Sequence, residues 1–119
     1  MTSIAELIAE ASRLSAKIDQ GVIALSRAAR KAAEAEMDYR QAKSVAWVQQ
    51  DAGTVPERQA HVDAKVSQQR FARDLAEGER LSALEALRSR RAQLSALQSV
   101  AAAWRAEAEH ARYGPEVAA

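Results

Sequence analysis

The chain has 119 residues and carries 17 basic and 16 acidic side chains, so its net charge of +1 favours no class of partner. Cysteine is absent, which excludes disulfide bonds and thiolate metal sites. Apolar residues make up 48% of the sequence, but 29 of them are alanines, and there are only four glycines and two prolines. Because alanine, leucine, glutamate, arginine and glutamine all favour helix, we predict one all-α domain over residues 1–119.

The first predicted element is a long helix over residues 3–51. Ser3 and Glu6 have the spacing of a capping box at its start. Apolar or small residues then recur every three and four positions, which is the pattern of a coiled-coil seam. These seam positions are Ile4, Leu7, Ala11, Leu14, Ile18, Gly21, Leu25, Ala28, Ala32, Ala35, Tyr39, Ala42 and Ala46. We expect the helix to continue through Gly21; the alternative is a kink there that would give three helices.

A turn is predicted over residues 52–54. Gly53 suits the left-handed position that follows a helix end. Thr54 and Glu57 have the capping-box spacing, and Pro56 falls in the first turn of the next helix, where its missing N–H costs nothing. A helix end and a helix start thus lie within a few residues of each other. The chain is therefore predicted to reverse direction here and to form a long antiparallel helical hairpin, similar to a coiled coil.

The second predicted helix covers residues 55–112 and ends before Tyr113-Gly-Pro115, which leaves a short tail over residues 113–119. Its apolar residues form two stripes. The first stripe consists of Ala64, Phe71, Leu75 and Gly78, and the second of Leu81, Leu84, Leu87, Leu94, Leu97, Val100 and Trp104. Because these side chains spread over more than half of the helix circumference, one neighbouring helix cannot cover them. We predict that the second stripe is an interface with a second copy or with another protein.

Charges support the antiparallel pairing independently of the turn. If the chain folds back at Gly53, two residues lie at the same level of the hairpin when their numbers add up to about 106, which is twice 53. Opposite charges then face one another: Arg27, Arg30 and Lys31 face Asp74, Glu77 and Glu79, and Glu34, Glu36 and Asp38 face Arg70 and Arg73. Each such exposed pair contributes only a few tenths of a kcal/mol to about 1 kcal/mol.

The sequence holds few groups that could do chemistry. His61 and His110 lie near opposite ends of one predicted helix, about 70 Å apart along it, and so cannot share a site within one chain. No zinc-binding histidine spacing, glycine-rich phosphate loop or serine within helical reach of a histidine occurs. We therefore expect no enzymatic activity and no catalytic, metal or cofactor site.

One segment of the second helix is locally basic, because residues 86–106 contain several arginines and no acid. The hairpin pairing brings two cations of the first helix level with this segment. The resulting basic belt consists of Arg13, Lys17, Arg88, Arg90 and Arg91. Such a belt can contact nucleic-acid phosphates, although it holds no aromatic side chain to stack on bases. Nucleic-acid binding is therefore the alternative hypothesis for function.

The C-terminal part of the chain contains Arg90-Arg-Ala-Gln-Leu-Ser-Ala-Leu-Gln-Ser-Val100, then Trp104-Arg-Ala-Glu107, and ends with Tyr113-Gly-Pro115 and a short tail. This part resembles small helical proteins encoded by bacteriophages of high-GC actinobacteria. The resemblance implies a phage accessory protein that binds a host or phage component. It assigns a role to no individual residue.

These patterns predict a non-enzymatic protein–protein interaction module that self-associates, in the simplest case as a homodimer that forms a helical bundle. The longest stretch without charge, residues 92–104, is too short and too polar to span a bilayer. The first residues lack the pattern of a secretory signal. We therefore expect a soluble cytoplasmic protein that has no membrane partner.

Overall fold

A computed structural model, which describes residues 3–118 and the side chains of residues 3–113, shows an all-α chain. Its elements are α1 (Ile4–Gln49), α2 (Val55–Lys65) and α3 (Ser67–Ala118). The described residues contain no strand. The chain reverses direction between α1 and α2, so the predicted all-α helical hairpin is confirmed.

The reversal between α1 and α2 uses the signals found in the sequence. Gly53 has a φ of 98°, a backbone conformation that would be strained for any residue with a side chain. Thr54 caps α2 by accepting a hydrogen bond from the Glu57 amide at 3.4 Å, and Pro56 lies in the first helical turn. The connection covers residues 50–54 rather than the three predicted, because α1 ends two residues earlier.

α1 continues through Gly21 without a break, and this residue is buried. An interruption lies instead between α2 and α3, at Val66, whose φ of −104° and ψ of 13° depart from helical values. Hydrogen bonds from Val66 N to Val62 O (3.1 Å) and from Arg70 N to Val66 O (2.9 Å) continue the helical pattern across this point. The second predicted helix is therefore divided into two elements by a local distortion rather than by a turn.

The end of the second helix differs from the prediction. α3 extends to Ala118, so the tail predicted over residues 113–119 is helical as far as the structure describes it. A proline close to a helix end removes only its own hydrogen bond to the carbonyl four residues earlier. Tyr113-Gly-Pro115 is therefore not the helix stop that its composition indicated.

Residues Ile23–Glu85 form one compact unit, here called the turn unit because it contains the reversal. Its core cluster consists of Tyr39, Ala46, Val62 and Val66, with Ala42 and Trp47 packed against it. Every predicted seam residue from Leu25 to Ala46 is buried or half-buried, so the seam prediction is confirmed in this unit. Burial of each Val- or Leu-sized side chain contributes about 1.5–3 kcal/mol, which exceeds what any surface ion pair supplies.

Two of the predicted charge contacts form in the turn unit. Lys31 Nζ lies 3.4 Å from Glu79 Oε2, and Arg73 Nε lies 3.8 Å from Glu36 Oε2. These residue numbers add up to 110 and 109, so the pairing is displaced from the predicted value of 106 by three or four residues. Arg30, which was predicted to face α3, instead binds a glutamate one turn later on its own helix.

Met1–Val22 and Ala86–Ala119 form a second compact unit, here called the terminal unit. Leu7 and Gly21 of α1 and Leu87 of α3 are buried in it. The Cδ1 atom of Leu87 lies only 3.2 Å from the position that a Cβ on Gly21 would take. The missing side chain of Gly21 therefore lets Leu87 pack directly against the backbone of α1.

Candidate protein-interaction surfaces

The predicted interface stripe is partly covered by the chain's own helices. Leu87 is 2% exposed, and Leu94, Leu97 and Trp104 are half-buried. These four residues share the three- and four-residue spacing of a seam, and Leu87 lies against Gly21 of α1. Including Leu87 in an outer interface was therefore wrong, because its own chain already covers it.

The other members of that stripe differ in exposure. Leu84 is half-buried in the turn unit. Leu81 in the turn unit and Val100 in the terminal unit keep 47% and 41% of their surface exposed. Of the predicted interface residues, Leu81 and Val100 are thus the two that offer most surface to a partner.

The first predicted stripe, Ala64, Phe71, Leu75 and Gly78, forms the outer stripe of the turn unit. All four residues are exposed, Phe71 by 68% and Leu75 by 53%. A Cβ placed on Gly78 would meet no atom within 4 Å. The outer stripe therefore presents two large apolar side chains and, beside them, a notch where the helix has no side chain.

A second apolar surface lies in the terminal unit as an open groove of about 260 Å³. Its lining consists of Ile4, Leu7, Ile8 and Ala11 of α1 and Leu97, Gln98, Ala101 and Arg105 of α3. Ile4 is 51% exposed and Ile8 is 65% exposed. Arg105 donates a hydrogen bond from Nε to the carbonyl of Ala101 at 3.4 Å, on its own helix. This terminal groove is thus apolar along its length, with one cation among its lining residues.

The predicted basic belt lies in the terminal unit but does not form one face. Residues one heptad apart lie on the same side of a helix, so the neighbours of Lys17 and Arg91 show which flank each occupies. Glu10, one heptad before Lys17, lines a shallow groove on one flank. Gln98, one heptad after Arg91, lines the terminal groove together with Ile8. Ile8 and Glu10 are two residues apart and so point about 200° apart around α1. Lys17 and Arg91 therefore lie on opposite flanks of the hairpin.

Two other members of the belt are engaged within the chain. Both Nε and Nη2 of Arg13 bind the carboxylate of Glu10, the former at 3.0 Å. Arg90 is half-buried, and its Nη1 lies 3.6 Å from the Cβ position of Gly21. Arg13 and Arg90 thus have contacts within the chain, and Lys17 and Arg91 lie on different flanks; contact of the belt residues with nucleic acid stays a prediction.

Arg73 is a polar residue that links α3 to α1 in the turn unit. Its guanidinium lies 4.2 Å from the centroid of the Tyr39 ring, a cation–π contact, and its Nη2 lies 2.9 Å from Asp74 Oδ1. The hydrogen bond to Asp74 and then the charge of the same carboxylate raise the pKa of Arg73 above its usual value, and Glu36 adds a smaller contribution. A permanently charged arginine thus packs on an aromatic side chain of the core.

The described residues contain no group of three or more His, Asp or Glu side chains placed to hold a metal ion. His61 and His110 are both exposed. Within the same residues, no helix combines the length and the apolar character needed to cross a membrane. Comparisons with protein-family models, curated protein sequences and solved structures find no match for this chain.

Proposed function

We propose that this chain is a non-enzymatic protein–protein interaction module that self-associates as a helical hairpin. The observation that carries the proposal is the outer stripe: the seam of the turn unit is filled by the chain's own helices, yet Phe71 and Leu75 stay more than half exposed. Full burial of an apolar side chain of this size contributes about 1.5–3 kcal/mol. Covering both residues in each copy therefore contributes to the driving force for association.

The terminal groove supplies a second surface, which suits a different kind of partner. It is lined by aliphatic side chains from two helices and has a cation, Arg105, among them. An amphipathic helix that carries an acidic side chain beside its apolar face matches this arrangement. In the proposal, this groove binds a different protein in the cytoplasm. The resemblance to phage-encoded helical proteins suggests a host or phage component as that protein.

Sedimentation equilibrium of the full chain, from low to high micromolar concentration, tests the proposal. We expect the mean mass to rise from that of the monomer, 12.9 kDa, towards that of a dimer. A folded chain that stays monomeric at every concentration and captures no protein from a host lysate would refute the proposed function.

Nucleic-acid binding is the rival function. The belt residues are divided between the two flanks of the terminal unit, so they do not form a continuous surface that a phosphate backbone could contact. We therefore expect no binding when labelled DNA and RNA are titrated with the chain at low salt. Tight binding that weakens steeply as salt is raised would favour the rival, because phosphate contacts release counterions.

A further inference from the structure

Of Gly21, Gly53 and Gly78, only Gly78 is not required by the chain's own packing. Gly53 needs its positive φ, and Gly21 makes room for Leu87. Gly78 lies inside α3, is exposed, and has open space where a Cβ would be. Glycine inside a helix is less favourable than alanine by about 0.8–1.0 kcal/mol. Its position on the outer stripe, beside Leu75, indicates that something outside the chain needs this notch.

Resting on the proposed self-association, we propose that the second copy docks antiparallel along the outer stripe, α3 against α3. The two-fold axis passes near residue 73, so facing residues have numbers that add up to 146. Phe71 then packs against Leu75 of the second copy, and Leu75 against the second copy's Phe71. One layer further out, Gln68 of each copy faces Gly78 of the other, where the missing Cβ leaves room for the longer side chain.

Charge complementarity selects this pairing. On one edge of the stripe, Lys65, the last residue of α2, approaches Glu79 of the second copy. Their numbers add up to 144, so the two residues lie about 3 Å from being level, within reach of both side chains. The two-fold axis repeats this pair. Both side chains are exposed; within its own chain Lys65 Nζ donates to Gln49 Oε1 at 2.7 Å, and Glu79 binds Lys31 at 3.4 Å. Sliding the copies by one heptad, to a central sum of 153, places Phe71 against Ser82 and brings Lys65 closest to Ala86, at an edge sum of 151. Of these two alignments, only the first matches apolar with apolar and cation with anion.

The opposite edge of the stripe is consistent with the same pairing. Leu81, 47% exposed in the single chain, comes to lie over Ser67 of the second copy. Asp74 approaches its own counterpart across the two-fold axis. Each Asp74 carboxylate is already bound by Arg73 of the same chain at 2.9 Å, which offsets the repulsion between the two copies.

Exchanging charges at residues 65 and 79 tests the pairing in the full-length chain. Lys65→Glu alone and Glu79→Lys alone each place like charges opposite one another twice per dimer. We expect each variant to weaken dimerisation by about thirtyfold in sedimentation equilibrium. Mixing the two variants restores opposite charges at both positions, so native mass spectrometry of the mixture should show mainly the heterodimer. The double variant K65E/E79K should dimerise as the unchanged chain does.

Two further variants separate this surface from any other. Phe71→Asp should abolish dimerisation, whereas the matched control Val48→Asp, at a position on α1 that is 84% exposed, should leave it unchanged. A chain that dimerises equally well with either charge reversal, or that forms no excess of heterodimer on mixing, overturns this pairing while self-association itself stands. A chain that never dimerises and binds no other protein overturns the proposed function as well.

Discussion

Replacing Leu87 by alanine tests whether α1 and α3 pair in the terminal unit as described. The side chain is 2% exposed, so the substitution removes three carbon atoms from a fully packed position. At about 0.8 kcal/mol per buried CH₂, the lost transfer free energy is about 2.4 kcal/mol, and the cavity left behind raises the cost to about 3 kcal/mol. A loss of this size in the free energy of unfolding would show that Leu87 is a core residue.

The partner substitution Gly21→Ala makes the test specific to the contact between the two helices. In the unchanged chain the new Cβ would lie 3.2 Å from Leu87 Cδ1, so the gain of about 1 kcal/mol in helix propensity is opposed by crowding. In the L87A chain the Leu87 Cδ1 atom is absent, so the whole gain in helix propensity adds to the free energy of unfolding. We expect G21A to stabilise the L87A chain by about 1 kcal/mol more than it stabilises the unchanged chain.

Urea unfolding followed by circular dichroism measures these four chains. All must be compared at one chain concentration, because self-association adds stability that depends on concentration. Substitutions at residues that do not touch are additive to within about 0.5 kcal/mol. Additive effects of G21A and L87A would therefore refute the pairing of Gly21 with Leu87.

Three further predictions concern the turn unit. The Gln69 side-chain oxygen is buried without a hydrogen-bond partner, so Gln69→Leu should raise the free energy of unfolding by about 1–3 kcal/mol; a loss in the same urea titration would contradict this. Thr54→Ala removes the cap on the Glu57 amide and should cost about 1 kcal/mol, whereas Thr54→Ser, the matched control, should cost little. The hydrogen bond from Arg80 lowers the pKa of Glu77, so this carboxylate stabilises the fold above its unfolded pKa and loses that contribution as pH falls through the lower folded value. The stability of Glu77→Gln should accordingly fall less between neutral and acidic pH; an unchanged slope would show that this pair contributes nothing.

The seam of α1 could be predicted from the sequence because every one of its positions is apolar or small. Leu7, Tyr39 and Ala46 lie buried where the pattern placed them, whereas Ile4, the first seam position, is 51% exposed. The chain reversal could also be predicted from the sequence, since Gly53 has the positive φ that was expected at its position. Where residue type alone fixes the backbone or the buried face, single-sequence reasoning is sufficient.

The seam of α2 and α3 could not be predicted in the same way, because polar residues occupy part of it. Its half-buried or buried positions include Gln59, Gln69, Arg73, Arg80 and Arg90. Long polar side chains can fill such positions by laying their aliphatic parts along the neighbouring helix and reaching out with their polar ends. Arg73, which stacks on Tyr39, does this. In the sequence, these polar residues interrupt the heptad pattern. The leucines of the seam were therefore assigned to a separate stripe on the helix surface.

This misassignment changes which surface is expected to be free. Once Leu87 is assigned to the hairpin seam, the outer stripe is the predicted apolar stripe of this helix that the fold leaves exposed. Two features there are unfavourable for a hairpin in isolation: Phe71 exposes a large apolar surface to water, and Gly78 weakens an exposed helix without relieving any crowding. They lie on one helix face within two turns. A single contact that covers Phe71 and enters the notch at Gly78 accounts for both, whereas the packing of one chain accounts for neither.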